Sequence, residues 1–198
     1  MSQRYLYLHG FQSGPQSLKA RETAAWLQQH PAAGQLLCPQ LSPYPAQAMQ
    51  QLQLLIAQQQ PTALIGSSLG GFYATALAEQ HRLPAVLINP AIWPERELQH
   101  FLGPRHNPYT GEHYRLDREH MQQLVAIRPA RLTPARYYLL LGTADAVLDW
   151  REAVRHYAGA RQLVQSGDDH RLQAWPQLLP GVVRFVDDYY RRQASAAG

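Results

Sequence analysis

The sequence predicts a compact α/β fold: a mainly parallel sheet of about six strands with helices on both faces. Short β-rich runs alternate with helical patterns along most of the chain, which implies right-handed crossovers between parallel strands. The strand segments are near-continuous apolar runs such as Tyr137–Leu141, as expected of strands covered on both faces. The composition, 45% hydrophobic and 16% charged over 198 residues, suits a single domain spanning residues 1–198.

Tyr5–Leu8 opens the sheet. Ser17 to about Gln29 reads as a helix, with Leu18, Arg21, Ala25 and Trp26 at helical spacing. Gln35–Cys38 is a second strand. Ala46–Gln60 is helical, with Met49, Leu52, Leu55 and Ile56 on one face. Thr62–Ile65 is a third strand, and Pro61 suits the position just before it. Ser68–Gln80 is a helix striped by Leu69, Phe72, Tyr73, Ala76 and Leu77. Ala85–Ile88 is a fourth strand, and Tyr137–Leu141 a fifth. Asp149–Tyr157 is a helix whose Asp149 and Glu152 have capping-box spacing. Gln162–Gln165 is a sixth strand. Leu178 to about Arg191 closes the chain as a helix, with Val182, Phe185, Val186 and Tyr189 inward. Residues 91–134 break the rhythm. They show no strand pattern and carry prolines, arginines, aromatics and four histidines. A connection this long between two strands is expected to be a small lid or cap insertion.

The totals exclude several classes. No apolar run approaches the roughly 18 residues of a membrane span. The N-terminus lacks the pattern of a secretory signal, and a single cysteine, Cys38, permits no internal disulfide. Both fit a reducing cytoplasm. The net charge of +4 is nearly all arginine, since Lys19 is the only lysine. These arginines are spread from Arg4 to Arg192 and form no nucleic-acid signature.

Residues 62–73, "TALIGSSLGGFY", place Gly-x-Ser-x-Gly between a strand and a helix. In that context the motif reads as a nucleophile elbow, a turn so sharp that the positions two before and two after the serine must be very small. Gly66 and Gly70 satisfy this for Ser68. Centring on Ser67 would put Ile65 and Leu69 there instead. The phosphate-binding Gly-Lys-Ser/Thr triplet and the dinucleotide glycine fingerprint are both absent.

A serine hydroxyl is a weak nucleophile. It needs a base, and the base needs an orienting group. With this elbow the partners are expected downstream in the order acid, then histidine. Asp145 lies four residues past the fifth strand, and His170 sits in "SGDDHRL" after the sixth. Asp149 is better read as a helix cap, and Asp168 and Asp169 as loop caps. All three loops lie at carboxyl ends of parallel strands, so their side chains can converge. Acyl transfer also needs preorganised N–H donors for an oxyanion. The expected donors are the backbone N–H of Leu69, just after the serine, and of Phe11, in the loop after the first strand. His9 reads as an anchor of that loop rather than as the base.

The segments "YLHGFQSGPQSLKA", "PQLSPYP", "IGSSLGGFYAT", "PAVLINPA", "NPYTGEHY" and "TADAVLDWR" together carry a resemblance. With the His170 loop, they make the chain similar to the YqiA/YcfP-type esterases, a small branch of the α/β-hydrolase superfamily. The resemblance implies a compact hydrolase lacking the first strands of larger relatives. It implies esterase activity with no cofactor, with Ser68, Asp145 and His170 as the triad. One departure stands out. The family's turn before the histidine is glycine-rich and less acidic, with a small or aromatic residue after it. Here Asp168 and Asp169 precede His170 and Arg171 follows, which changes the charge around the ring.

The expected substrate is a small-molecule ester. The alternatives are an acyl-coenzyme A thioester, or no reaction at all in a binding protein on the same fold. The histidines of the 91–134 insertion are spaced six or seven apart, with Gly103, Pro104 and Pro108 between them, which does not suit a metal site. Its arginines could instead favour an anionic substrate end. Trp93, Phe101, Tyr109 and Tyr114 are candidates either to line an acyl pocket or to pack the lid.

Overall fold

The computed structural model describes residues 3–196. The chain runs β1 (Arg4–Leu8), α1 (Leu18–Gln29), β2 (Gln35–Leu37), α2 (Pro45–Gln59), β3 (Ala63–Ser67) and α3 (Leu69–His81). It continues through β4 (Ala85–Ile88), α4 (Pro94–Glu97), β5 (Gly103–His106), β6 (His113–Leu116), α5 (Arg118–Ile127) and β7 (Tyr137–Gly142). It ends with α6 (Trp150–His156), β8 (Arg161–Gln165) and α7 (Trp175–Ala196). Six strands form one sheet in the order β2-β1-β3-β4-β7-β8, and every pairing in it is parallel.

Side chains alternate across each strand, so each apolar run feeds two cores. Leu6, Leu8, Leu64, Leu87, Leu139 and Leu141 pack with Leu52 of α2, Phe72 of α3, Leu124 of α5 and Ala153 of α6. Tyr5, Tyr7, Ile65, Val86, Ile88 and Leu140 pack with Leu27 of α1 and Phe185 of α7. Each fully buried Leu or Ile contributes roughly 1.5–3 kcal/mol. Helix α3 lies against the middle of the sheet, and its residues from Gly70 to Ala78 are all buried. Among the described residues no helix is long and apolar enough to cross a membrane.

The structure corrects the sequence reading in three places. The buried face of α1 is Ala20, Thr23 and Leu27, whereas Leu18 is 40% exposed. Thr23 suits that interior because its hydroxyl donates to the Lys19 carbonyl at 2.6 Å and accepts the Trp175 indole N–H at 3.0 Å. Helix α7 begins at Trp175 rather than Leu178, so Pro180 stands beyond its first turn. The fully buried Trp175 and the Asp168 carboxylate, which accepts from the Gln173 and Ala174 N–H groups at 2.7 and 3.0 Å, set the earlier start.

The third correction concerns residues 91–134, where strands do occur. β5 and β6 form an antiparallel hairpin, with His106 opposite His113. The "NPYTG" turn closes it: Asn107 Oδ1 accepts from Tyr109 N at 2.9 Å, and Gly111 takes φ 73°. Helix α5 follows, its start tied by Asp117 N donating to His120 Nδ1 at 2.9 Å. Met121 and Leu124 are its buried residues.

Candidate active site

β3 ends at Ser67 and α3 begins at Leu69, so Ser68 alone reverses the chain. It takes φ 54° and ψ −121°. This left-handed conformation costs a residue with a side chain about 1–3 kcal/mol. Its surroundings hold it there. Ser68 N donates to the Ile88 carbonyl at 3.0 Å, and the Ser68 carbonyl accepts from Gly71 N at 2.9 Å and Ala91 N at 3.0 Å. The flanking glycines are steric necessities. A Cβ on Gly66 would stand 2.5 Å from the Gly70 carbonyl oxygen, and one on Gly70 would run into the Leu8 carbonyl. Ser67 is an ordinary buried strand residue.

The loop after β1 passes directly beside this serine. A Cβ on Gly10 would lie 3.2 Å from Ser68 Cβ and 3.7 Å from its Oγ. His9 anchors the loop. Its Nε2 accepts from Leu41 N at 3.0 Å and its Nδ1 pairs with the Gly10 carbonyl at 2.9 Å. The two bonds together require a neutral ring with its proton on Nδ1. Burial likewise lowers the His9 pKa below the ordinary histidine value. Among the described residues neither the Phe11 nor the Leu69 backbone N–H donates to another protein group. Leu69 is the first residue of α3, where helix geometry supplies no partner.

Asp145 follows β7. Its Oδ1 accepts from Val147 N at 2.8 Å and Leu148 N at 2.9 Å. Its Oδ2 lies 2.7 Å from His170 Nδ1, and the carboxylate is 1% exposed. His170 therefore turns its other nitrogen away from the acid. Ser68 and His170 both line one cavity of about 500 Å³, with Gly10, Phe11 and Tyr109 among its walls. Among the described residues no direct hydrogen bond joins Ser68 to His170; they share the cavity.

Asp168 and Asp169 are engaged as loop caps. Asp168 Oδ1 accepts from the Asp169 and Gln173 N–H groups, and Asp169 Oδ1 accepts from Arg171 N at 2.9 Å. Asp149 caps α6 through the Arg151 N–H at 3.0 Å, the first-turn bond taking the place of a reciprocal box with Glu152.

Two further side chains, not among the expected site residues, stand beside these groups. Asn89, buried at the end of β4 with φ 40°, donates to the carbonyls of Asp169 and His170 at 3.1 Å each. Its Oδ1 accepts from Gly142 N at 2.9 Å. One amide thus ties the histidine loop to the strand that carries Asp145. Its only sequence signal is an Asn at a strand end, which also reads as a turn former. The second is Lys19, which lines the cavity.

The hairpin reaches the site through polar contacts. Asn107 Nδ2 donates to the Ser13 carbonyl at 3.2 Å, and Gln12 Nε2 to the His106 carbonyl at 3.2 Å. Tyr109 reaches the cavity wall, Phe101 packs edge-on against the Phe11 ring at 5.2 Å, and Tyr114 is buried. The arginines of this segment do not line the cavity. Arg105 bonds the Phe101 and Leu102 carbonyls, Arg115 pairs with Asp117, and Arg96 and Arg128 sit over the Trp93 ring. Among the described residues no group of three His, Cys, Asp or Glu side chains is placed to hold a metal ion.

The parallel sheet, the strained serine turn and the loops at the strand ends define an α/β-hydrolase fold. Solved structures share it. Est1E from Butyrivibrio proteoclasticus matches with a TM-score of 0.71 at 14% identity, over 98% of this chain and 89% of that one. The esterase domain of a Rhodothermus marinus protein matches with a TM-score of 0.64 at 19% identity, over 93% and 88%. Mouse alpha/beta hydrolase domain-containing protein 10 matches with a TM-score of 0.65 at 16% identity, over 96% and 90%. Residues 4–187 match the family described as Uncharacterised protein family (UPF0227), and the chain belongs to that family. This is the group of YqiA/YcfP-type proteins that the motifs indicated.

Proposed function

We propose that this protein is a serine esterase that cleaves carboxylic esters through an acyl-enzyme. Ser68 Oγ attacks the ester carbonyl carbon while His170 Nε2 takes its proton. Asp145 holds the imidazole by Nδ1 and stabilises its charged form. The Phe11 and Leu69 N–H groups receive the oxyanion. Collapse of the tetrahedral species breaks the bond to the alcohol, which leaves with the proton from His170. Water, deprotonated by the same nitrogen, then releases the acid and restores Ser68. Residues 91–134 act as the cap over this cavity. The observation that carries the reading is the 2.7 Å Asp145–His170 bond opening onto the cavity that Ser68 lines.

Ser68→Ala is expected to lower kcat on nitrophenyl esters by about a thousandfold or more. Its circular dichroism should match the parent. A fluorophosphonate should label Ser68 and no other residue. Full activity in Ser68→Ala would overturn the assignment. Rates on matched oxygen and sulfur esters separate an esterase from a thioesterase.

A further inference from the structure

We propose that the cavity beside Ser68 selects esters bearing a carboxylate, and that the Lys19 ammonium is the group that recognises it. The proposal rests on Ser68 being the nucleophile. The lining contains Lys19 and Arg171 as formal cations and, among the described residues, no Asp or Glu. Of the acids near Lys19, Asp169 is bonded to the Arg171 N–H and the Gln173 amide, and Asp145 is committed to His170 and shielded from solvent. Lys19 is also the chain's only lysine, in a protein that otherwise uses arginine for positive charge.

An ammonium has three N–H donors. Lys19 Nζ gives one to the Arg171 carbonyl, at 3.0 Å. Among the described residues it makes no ion pair. That single bond fixes the head group next to the histidine loop and leaves donors for a ligand in the cavity. The electrostatics agree. Burial, and to a lesser degree Arg171, push the Lys19 pKa down to about 8, although Asp169, Glu22 and Asp145 pull the other way. An ammonium in this state gains from an anion that displaces water around it. Arg171 is exposed at the rim, where it adds attraction without a fixed geometry.

A carboxylate can enter on the acyl side or on the leaving-group side of the ester. Two substrate pairs distinguish them. The first compares mono-nitrophenyl adipate with nitrophenyl hexanoate. The second compares the hexanoate ester of hydroxybenzoate with that of its methyl ester. The quantity read is the ratio of kcat/KM, anionic over neutral, within each pair.

In the parent protein one pair should show a ratio above one. Lys19→Met should lower that ratio roughly ten- to a hundredfold, as expected for loss of a charge-assisted hydrogen bond. Lys19→Arg should keep most of it. If Lys19→Met slows both members of a pair equally, the lysine only props the His170 loop and the proposal fails. If Lys19→Met does not fold, the parent ratios decide: no preference for either anionic ester overturns the proposal. Failure of the serine reading looks different. In that case Ser68→Ala would still turn over the neutral ester, whatever Lys19 does to the ratio.

Discussion

The serine turn and the β5–β6 hairpin lie against the same loop, residues 9–14, yet they are held by opposite means. The turn is wedged in place by backbone. Gly66 and Gly70 have no room for a Cβ, and Ser68 is bonded through both its N–H and its carbonyl. The hairpin is fastened by side-chain amides. Asn107 and Gln12 each reach across to a carbonyl, and a Cβ on Gly111 would meet nothing within 4 Å. The contrast is one of fixation: the serine turn is over-determined by backbone packing, whereas the hairpin is attached to the same loop by a few side-chain hydrogen bonds.

The largest effect expected from this contrast is on stability. Gly70→Ala forces a methyl into the Leu8 and His9 carbonyls and should cost about 3–5 kcal/mol or prevent folding. Gly111→Ala meets open space and bears only the strain of φ 73°, about 1 kcal/mol. Chemical denaturation of the two variants checks the ordering. Equal losses would break the comparison.

Asn89→Ala should come next. It removes the Asn89 bonds to the Asp169 and His170 carbonyls, leaves the buried Gly142 N–H without its partner, and removes a residue suited to φ 40°. A stability loss of about 2–4 kcal/mol is expected. Because the amide positions the His170 loop and does not touch substrate, kcat should fall about tenfold or more with KM nearly unchanged. An unchanged kcat in the folded variant would mean the histidine loop holds itself.

How much of this was legible follows the same divide. The sharp turn at Ser68 was legible through Gly66 and Gly70, and the Asp145–His170 contact, 2.7 Å in the structure, through the chain order of the loops. The central strands were legible because β3, β4 and β7 are buried along their whole length and so are almost wholly apolar, whereas the edge strands β2 and β8 carry polar, partly exposed residues. The face of α1 was not legible, since its interior includes Thr23, whose hydroxyl donates to the Lys19 carbonyl one turn back and accepts from the distant Trp175 indole. The hairpin was not legible either. "GPRH" and "HYRL" are polar, and their pairing shows only once the "NPYTG" turn is read as a hairpin connection. Asn89 and Lys19 act through carbonyls more than fifty residues away, and no local pattern encodes that.

Asn107→Ala tests the covering side. It removes the bonds to Tyr109 N and to the Ser13 carbonyl, costing about 1–2 kcal/mol. Tyr109 loses its fixed place on the cavity wall, so KM should rise about two- to fivefold while kcat holds, in steady-state assays. A loss confined to kcat would show that the hairpin belongs with the rigid centre after all.

The mildest test uses pH and sets His9, under the serine loop, against His156, whose ring packs on Trp93 at 5.7 Å. Burial lowers both pKa values below 6.5, with Arg128 adding to the shift at His156. A histidine with a depressed folded pKa leaves the unfolded chain to bind the proton first. Its contribution is complete above about pH 6.5 and is lost as pH falls below it. His9 also spends Nε2 as an acceptor from Leu41 N, a bond that protonation destroys outright. His9→Gln cannot protonate, so its melting temperature should approach the parent's as pH drops from about 8 to about 5. His156→Gln should show the same convergence more weakly. If His156→Gln converges more strongly, the covering side and not the serine loop sets the acid limit of the fold.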